Sequence, residues 1–294
     1  LLKDRTEIKL FTRPRRFGKT LNMTTLKYFF DVRNAEENRK LFKDLYIKKS
    51  EYFKEQGQYP TIFITLKDTK KNNWEECYSK IKIILRDLYE EHSYIKDKLS
   101  INEKEEYDKI LFKKDDAEYD NALLNLTKYL YNYYQKKVVL LIDEYDSPLI
   151  TANQFGYYKE AINFFRDFLS SALKTNSNLK MGVLTGIVQV AKEGIFSGLN
   201  NVKTYNILGD KFEIFFGLSE EEVEEALKYF EMTYEIEEVK RWYDGYKFGN
   251  SEVYNPWSIV NYLSDRGLQA YWVNTSDNAL IYDNLKNSTV DVFN

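Results

Sequence analysis

The chain has almost no histidine and almost no cysteine: one of each, His92 and Cys77, in 294 residues. A lone cysteine excludes an intrachain disulfide and fits a reducing cytosol, so the expected compartment is the cytoplasm. A lone histidine argues against metal centres and catalytic triads built on imidazole. No run of about 18 apolar residues occurs, so no membrane-spanning helix is expected. An internal repeat, a low-complexity linker and a visible signal peptide are all missing. So is an excess of basic charge. The 43 Lys and Arg against 46 Asp and Glu leave a net charge of −3, which places no demand for a nucleic-acid partner. Leu1 stands where an initiating Met would, and the expectation is a fragment of a longer protein.

What is present fills a core. Hydrophobic residues make up 43% and aromatics 16%, enough for one large or two medium domains at this length. Glu7-Ile8-Lys9-Leu10-Phe11 alternates like a short strand, and Gly18 to Phe30 reads as a helix. Between them lies Arg13-Pro14-Arg15-Arg16-Phe17-Gly18-Lys19-Thr20. Strand, loop ending in Gly-Lys-Thr, then helix is the order of a phosphate-binding (Walker A) loop. The helix start offers unpaired N–H groups and a partial positive charge to an anion. Lys19 is expected to reach the β- and γ-phosphates and Thr20 to ligate Mg²⁺. Arg15, Arg16, Phe17, Gly18 and Leu21 complete the expected nucleotide-contacting set. Position 13, where the generic pattern has Gly, is Arg, and the following Pro14 pushes it into an extended conformation. Arg13 is expected to set loop geometry or to pair with an acid of this chain. Arg15 or Arg16 is expected to contact nucleotide or to reach a neighbouring subunit's site.

Far downstream, Val138 to Ile142 is a five-residue apolar run suited to a strand buried on both faces. Asp143 and Glu144 follow at its C-terminal edge, where open α/β sheets bind ligands. This reads as the second (Walker B) half of the site. Asp143 is the expected second Mg²⁺ ligand and Glu144 the expected general base. Asp146 reads instead as a cap on the turn at Ser147-Pro148. A further apolar stretch, Met181 to Ile187, contains Thr185, which either senses the γ-phosphate or is a β-propensity residue without a role.

Thr61 to Leu66 reads as another strand, and Glu75 to His92 as an amphipathic helix through Cys77, Ile81, Ile84, Leu85 and Leu88. Asn121 to Gln135 and Tyr158 to Lys174 read as two more helices. The highly charged 94–118 stretch reads as an exposed helical insertion. The order predicts an α/β phosphate-loop core over 1–216, a parallel sheet of about five strands flanked by helices. The character changes near 217, where Ser219 and Glu222 spell a capping box. Residues 217–294 are expected to form a smaller, mostly helical, winged-helix-like lid, with Trp242 and Trp257 in its core.

Four spaced motifs resemble a bacterial family of predicted AAA-ATPase-like proteins. They are Thr12 to Leu21, Leu141-Ile142-Asp143-Glu144-Tyr145-Asp146, Ile195-Phe196-Ser197-Gly198-Leu199-Asn200-Asn201, and Trp242-Tyr243-Asp244-Gly245-Tyr246 with Tyr254-Asn255-Pro256-Trp257. The resemblance covers nearly the whole chain. It implies ATP rather than GTP, and it makes Arg at position 13 normal for the family. It also implies a PD-(D/E)XK nuclease-like C-terminal domain, not recognisable before Asn294, and often a basic residue where Gln189 stands. ATP and Mg²⁺ are thus the expected cofactors. Three functions stay open: Mg²⁺-dependent ATP hydrolysis driving a conformational switch, a weakly hydrolysing switch or scaffold, and the ATPase module of a nucleic-acid-processing nuclease. The Ile195–Asn201 signature is either a connecting turn or a switch loop. Oligomeric state is open.

Overall fold

The computed structural model describes residues 1–190, 201–232 and 236–271. Five strands, β1 (Ile8–Thr12), β2 (Thr61–Thr65), β3 (Val138–Asp143), β4 (Leu179–Gly186) and β5 (Val202–Tyr205), form one sheet in the order β2-β3-β4-β1-β5. Every pairing is parallel. All strand C-termini therefore lie along one edge, and Thr12, Asp143 and Gly186 end there together. Every residue of β3 is buried, as a continuous apolar run in a central parallel strand requires.

The crossovers from β1 through β4 are helical. Those of the sheet unit are α1 (Lys19–Phe30), α2 (Ala35–Arg39), α3 (Trp74–Glu91), α4 (Ile101–Leu111), α5 (Ala122–Tyr134), α6 (Ser147–Phe155) and α7 (Tyr158–Leu173). One core joins the strands to the apolar faces of α3 (Cys77, Ile81, Leu85), α5 (Leu123, Leu126, Leu130) and α7 (Phe165, Leu169, Leu173). The lone Cys77 is a packed core residue, as its helical neighbours predict.

The 94–118 stretch corrects its sequence reading. It is helical but not merely solvated: Ile95 and Tyr107 are 0% exposed and Ile110 4%, and all three belong to the main core. The Tyr107 hydroxyl donates to the Tyr89 carbonyl. Burying such a side chain contributes about 1.5–3 kcal/mol. Surface ion pairs such as Lys109–Glu106 typically contribute about 0.2–1 kcal/mol. A few anchors therefore outweigh the many charges that dominate the local sequence.

The single histidine is also internal. His92 follows α3 at 1% exposure, its Nδ1 lies 3.3 Å from the Tyr94 hydroxyl, and its Nε2 is buried without a hydrogen-bond partner. Burial pushes its pKa down to about 3, Arg33 and Lys27 push the same way, and Glu91 opposes them. The folded pKa thus lies below the unfolded one. As pH falls through about 6.5 the unfolded chain takes up a proton that the folded chain refuses, and stability is lost. Between pH 7.5 and 5 this linkage removes about 2 kcal/mol, and His92→Phe is expected to abolish that share of the pH dependence. Urea unfolding at both pH values checks it; parallel losses in wild type and variant would rule His92 out.

The chain divides into two compact units, residues 1–13 with 19–206, and residues 14–18 with 207–294. The division lies upstream of the compositional change near 217, and it assigns the middle of the expected phosphate loop to the C-terminal unit. That unit contains α8 (Glu220–Tyr229), α9 (Ile236–Tyr243), α10 (Pro256–Asp265) and an antiparallel hairpin of β6 (Tyr246–Phe248) and β7 (Ser251–Val253). Ser219 caps α8 in a capping box with Glu222. Asn255 caps α10, with Pro256 in its first turn. Val223, Leu227, Val239, Tyr243, Tyr254 and Ile259 fill its core. Trp242 and Trp257, expected in that core, are 42% and 45% exposed. Among the described residues no helix is long and apolar enough to cross a membrane.

Candidate functional site

The site is built at the C-terminal edge of the sheet. β1 delivers Arg13, α1 begins at Lys19, and β3 and β4 end in Asp143 and Gly186. Parallel pairing of β1 with β4 sets Phe11 opposite Thr185 and Thr12 opposite Gly186. The Gly186 carbonyl accepts the Arg13 N–H at 3.1 Å, which fixes where the loop leaves the sheet.

The sequence-predicted polar residues of the sheet unit converge. Asp143 is 1% exposed and accepts two hydroxyls on different oxygens: Thr20 on Oδ2 at 2.7 Å and Thr185 on Oδ1 at 2.5 Å. Thr185 is fully buried and its hydroxyl is committed to the acid at the end of β3. Lys19 is 8% exposed, and its Nζ donates to the Arg13 carbonyl at 3.0 Å. The ammonium is folded back across the loop that precedes it.

The loop meets its departure from the glycine pattern in a specific way. The left-handed backbone falls at Arg16, φ 70°, and Gly18, φ 71°, while Arg13 is not among the positive-φ residues. Gly18 adopts this region without steric cost; Arg16 does so only because its surroundings hold it. Arg13 is 0% exposed, and its Nη1 donates to the carbonyls of Thr12 and Tyr205 at 2.9 and 2.8 Å. Burial pulls its pKa down to about 10, which still leaves it charged at neutral pH. Such carbonyl contacts serve loop geometry, one of the two roles expected for it. Phe17 is fully buried, and Arg15 and Gly18 are half-buried. Leu21, expected near nucleotide, is 70% exposed on α1.

Glu144 also has a left-handed backbone, φ 53°. Its carboxylate accepts the Ser147 hydroxyl at 2.7 Å and lies 3.8 Å from the Lys70 ammonium. Neither contact is spelled out by the Asp143-Glu144 pattern itself. Ser147, three residues on, is a local signal; Lys70, from the turn after β2, gives none.

Asp146 is the clearest correction. It stands at the start of α6, yet its side chain makes no capping bond. Its Oδ2 instead accepts the backbone N–H groups of Ile187 and Val188 at 2.7 and 2.8 Å. Burial raises its pKa, and those two N–H bonds and Lys19 oppose the rise. Tyr145 extends the same seam. Its N–H donates to the Thr185 carbonyl at 3.0 Å. Its hydroxyl donates to Val188 O at 2.9 Å and accepts from Val190 N at 3.1 Å. Gly186 is needed here, because a Cβ would stand 2.6 Å from the Tyr145 ring and 2.7 Å from Asp146 Oδ1. The Asp143–Asp146 segment and the exit of β4 therefore form one hydrogen-bonded piece. Gln189 is exposed just beyond it. Of the Ile195–Asn201 signature only Asn201 lies within the described residues. Its Nδ2 donates to Glu7 Oε2 and Leu173 O at 3.2 and 3.3 Å, at the sheet edge opposite the loop.

A divalent cation of the Mg²⁺ class takes hard oxygen ligands near 2.0–2.1 Å, which places adjacent ligands about 2.9 Å apart, and uses one or two carboxylates with phosphates and waters. Thr20 Oγ1 and Asp143 Oδ2, 2.7 Å apart, suit two adjacent positions. Among the described residues no cluster of three or more His, Cys, Asp or Glu offers an all-protein cage, so the remaining ligands would have to come from substrate and water.

No solved structure matches the chain. A curated relative, an uncharacterized protein encoded in the vnfD 5′ region of Azotobacter chroococcum mcd 1, is 23% identical over 278 residues, covering 92% of this chain and 48% of the relative. The chain thus spans about half the length of that relative. The sequence model of the predicted AAA-ATPase family matches residues 1–196, which contain the loop, the Asp143 strand and the Thr185 strand. With a match over most of its length and a parallel α/β sheet beneath it, the chain belongs to the predicted AAA-ATPase-like family.

Proposed function

We propose that the chain binds ATP with Mg²⁺ and hydrolyses the β–γ bond. The observation that supports this best is the convergence of Thr20, Asp143 and Thr185 within hydrogen-bond distance beside a buried Lys19. In this reading the loop amides from Arg15 to Thr20 surround the phosphates. Lys19 Nζ exchanges the Arg13 carbonyl for β- and γ-phosphate oxygens. Thr20 and Asp143 hold Mg²⁺, which when bound neutralises charge developing on the phosphates. Glu144 takes a proton from water as the water oxygen bonds to the γ-phosphorus. The bridging P–O bond breaks, and its electron pair leaves on the β-phosphate of ADP. Thr185 holds the free oxygen of Asp143, keeping the other aimed at Thr20.

A second reading is a nucleotide-dependent switch that hydrolyses weakly. It is favoured by the engagement of Glu144 with Ser147 and Lys70, which must loosen before the carboxylate can serve water. Steady-state phosphate release by the purified chain, with ATP, Mg²⁺ and optionally duplex DNA, separates the readings. Hydrolysis at roughly 1 s⁻¹ or faster supports the enzyme. Tight ATP binding with turnover orders of magnitude slower supports the switch. Stimulation by DNA would support an ATPase module of a nucleic-acid-processing protein. No binding and no turnover would remove the proposal.

A further inference from the structure

The backbone that leaves β4 takes hydrogen bonds from side chains of the acid turn. Asp146 Oδ2 accepts the N–H groups of Ile187 and Val188. The Tyr145 hydroxyl donates to the Val188 carbonyl and accepts the Val190 N–H. Past the end of a strand there is no ladder to pair these groups, and two adjacent side chains supply the partners. The turn is held in return on both sides of Glu144. Before it, Asp143 receives the Thr185 hydroxyl on its carboxylate and the Leu66 N–H on its carbonyl, the latter at 3.0 Å. After it, Tyr145 gives its N–H to the Thr185 carbonyl, also at 3.0 Å. Glu144 between them has φ 53°, a backbone form that a glutamate keeps where its surroundings over-determine it. Tyr145 and Asp146 are both fully buried, and all of these residues belong to the sheet unit.

We infer that Asp146 and Tyr145 are positioning residues for Glu144. By gripping the backbone that leaves β4 they clamp the acid turn against that strand. The clamp holds the left-handed backbone that aims the Glu144 carboxylate. Without it, Lys19, Thr20 and Asp143 still stand ready to bind nucleotide, because Thr185 and Leu66 hold Asp143 independently. The base, however, loses its fixed position relative to the attacking water. This inference rests on the hydrolysis reading above, and it assigns roles to two residues that need not touch nucleotide.

Phosphate release by the full chain under saturating ATP, beside ATP affinity by calorimetry, tests it. Asp146→Ala is expected to slow turnover on the order of 10–10²-fold, the scale of a displacement of about 1 Å, with ATP affinity within about twofold of wild type. Asp146→Asn, whose amide oxygen can accept the same two N–H groups, is expected to recover most of that loss. Tyr145→Phe keeps the ring, loses the hydroxyl and is expected to slow turnover by roughly threefold to tenfold, again at unchanged affinity. Ile110→Ala, in the same core but on α4, is expected to lower the unfolding temperature and leave turnover unchanged. Wild-type turnover in Asp146→Ala overturns the inference. So does an equal loss in Ile110→Ala, since general loosening would then explain both. An Asp146→Asn protein as slow as Asp146→Ala also overturns it, because the Asp146 charge, with Lys19 as its cation, would then be the cause. Should Asp146→Ala fail to fold, Tyr145→Phe carries the test, and wild-type turnover there overturns the inference. If wild type hydrolyses ATP, Glu144→Gln does not and Asp146→Ala is unimpaired, the hydrolysis reading stands and only this inference falls. If wild type itself has no turnover, both fall.

Discussion

Lys19→Ala is expected to abolish ATP binding while leaving the chain folded. Lys19 is 8% exposed at the first turn of α1, so its charge sits where the loop closes and where water screens it weakly. Its bond from Nζ to the Arg13 carbonyl at 3.0 Å is of a kind that contributes about 0.5–1.5 kcal/mol, and its loss is tolerable in a core of this size. Toward phosphate the same ammonium offers three charged donors, each charge-assisted bond contributing about 1.5–3 kcal/mol. Two such bonds correspond to a loss on the order of 10²–10⁴ in affinity. The asymmetry lets the variant separate binding from folding. Calorimetry with ATP and Mg²⁺ beside a thermal melt reads both. Wild-type affinity in a folded Lys19→Ala protein would mean that Gly18-Lys19-Thr20 is an ordinary helix start.

The parts of this site that local sequence revealed are those with a local physical cause. β3 and β4 declare themselves as apolar runs, β1 by a short alternation, and α3, α5 and α7 by an apolar stripe at helical spacing. Lys19, Thr20 and Asp143 follow from what ends or begins those elements. What local pattern concealed depends on partners remote in sequence. β5 has only four residues, Val202–Tyr205, and acquires its strand character by pairing with β1. The three-residue strands β6 and β7 are too short to show alternation. Asp146 looks like a turn residue until the N–H groups of Ile187 and Val188, 41 and 42 residues on, are placed against it. The charged 94–118 stretch hides its anchors because four buried side chains, Ile95, Leu99, Tyr107 and Ile110, are few among many lysines and acids. The basic loop reads as a row of similar arginines, yet Arg13 is fully buried against carbonyls while Arg16 stacks on Trp257, a residue more than 200 positions away. No neighbour-by-neighbour reading separates those two environments.

Glu144→Gln is expected to bind ATP as wild type does and to lose turnover by roughly 10²–10⁴-fold, the usual contribution of a positioned general base. The substitution is nearly isosteric. An amide oxygen can still accept the Ser147 hydroxyl, now 2.7 Å from the carboxylate, so the turn into α6 keeps its geometry. Only the Lys70 attraction is lost. At 3.8 Å, with a lysine side chain 46% exposed, that pair is a surface interaction of about 0–1 kcal/mol. Binding groups on Lys19, Thr20 and Asp143 are untouched. What disappears is the capacity to take a proton from water. Comparing ATP affinity by calorimetry with phosphate release under saturating ATP gives both quantities from one preparation. Binding retained with turnover lost makes Glu144 the base. Turnover at the wild-type rate makes Glu144 a structural partner of Ser147 and Lys70 and moves the base elsewhere. A joint loss of binding and turnover would place the effect in the turn itself, where the left-handed backbone at Glu144, φ 53°, depends on what its side chain holds.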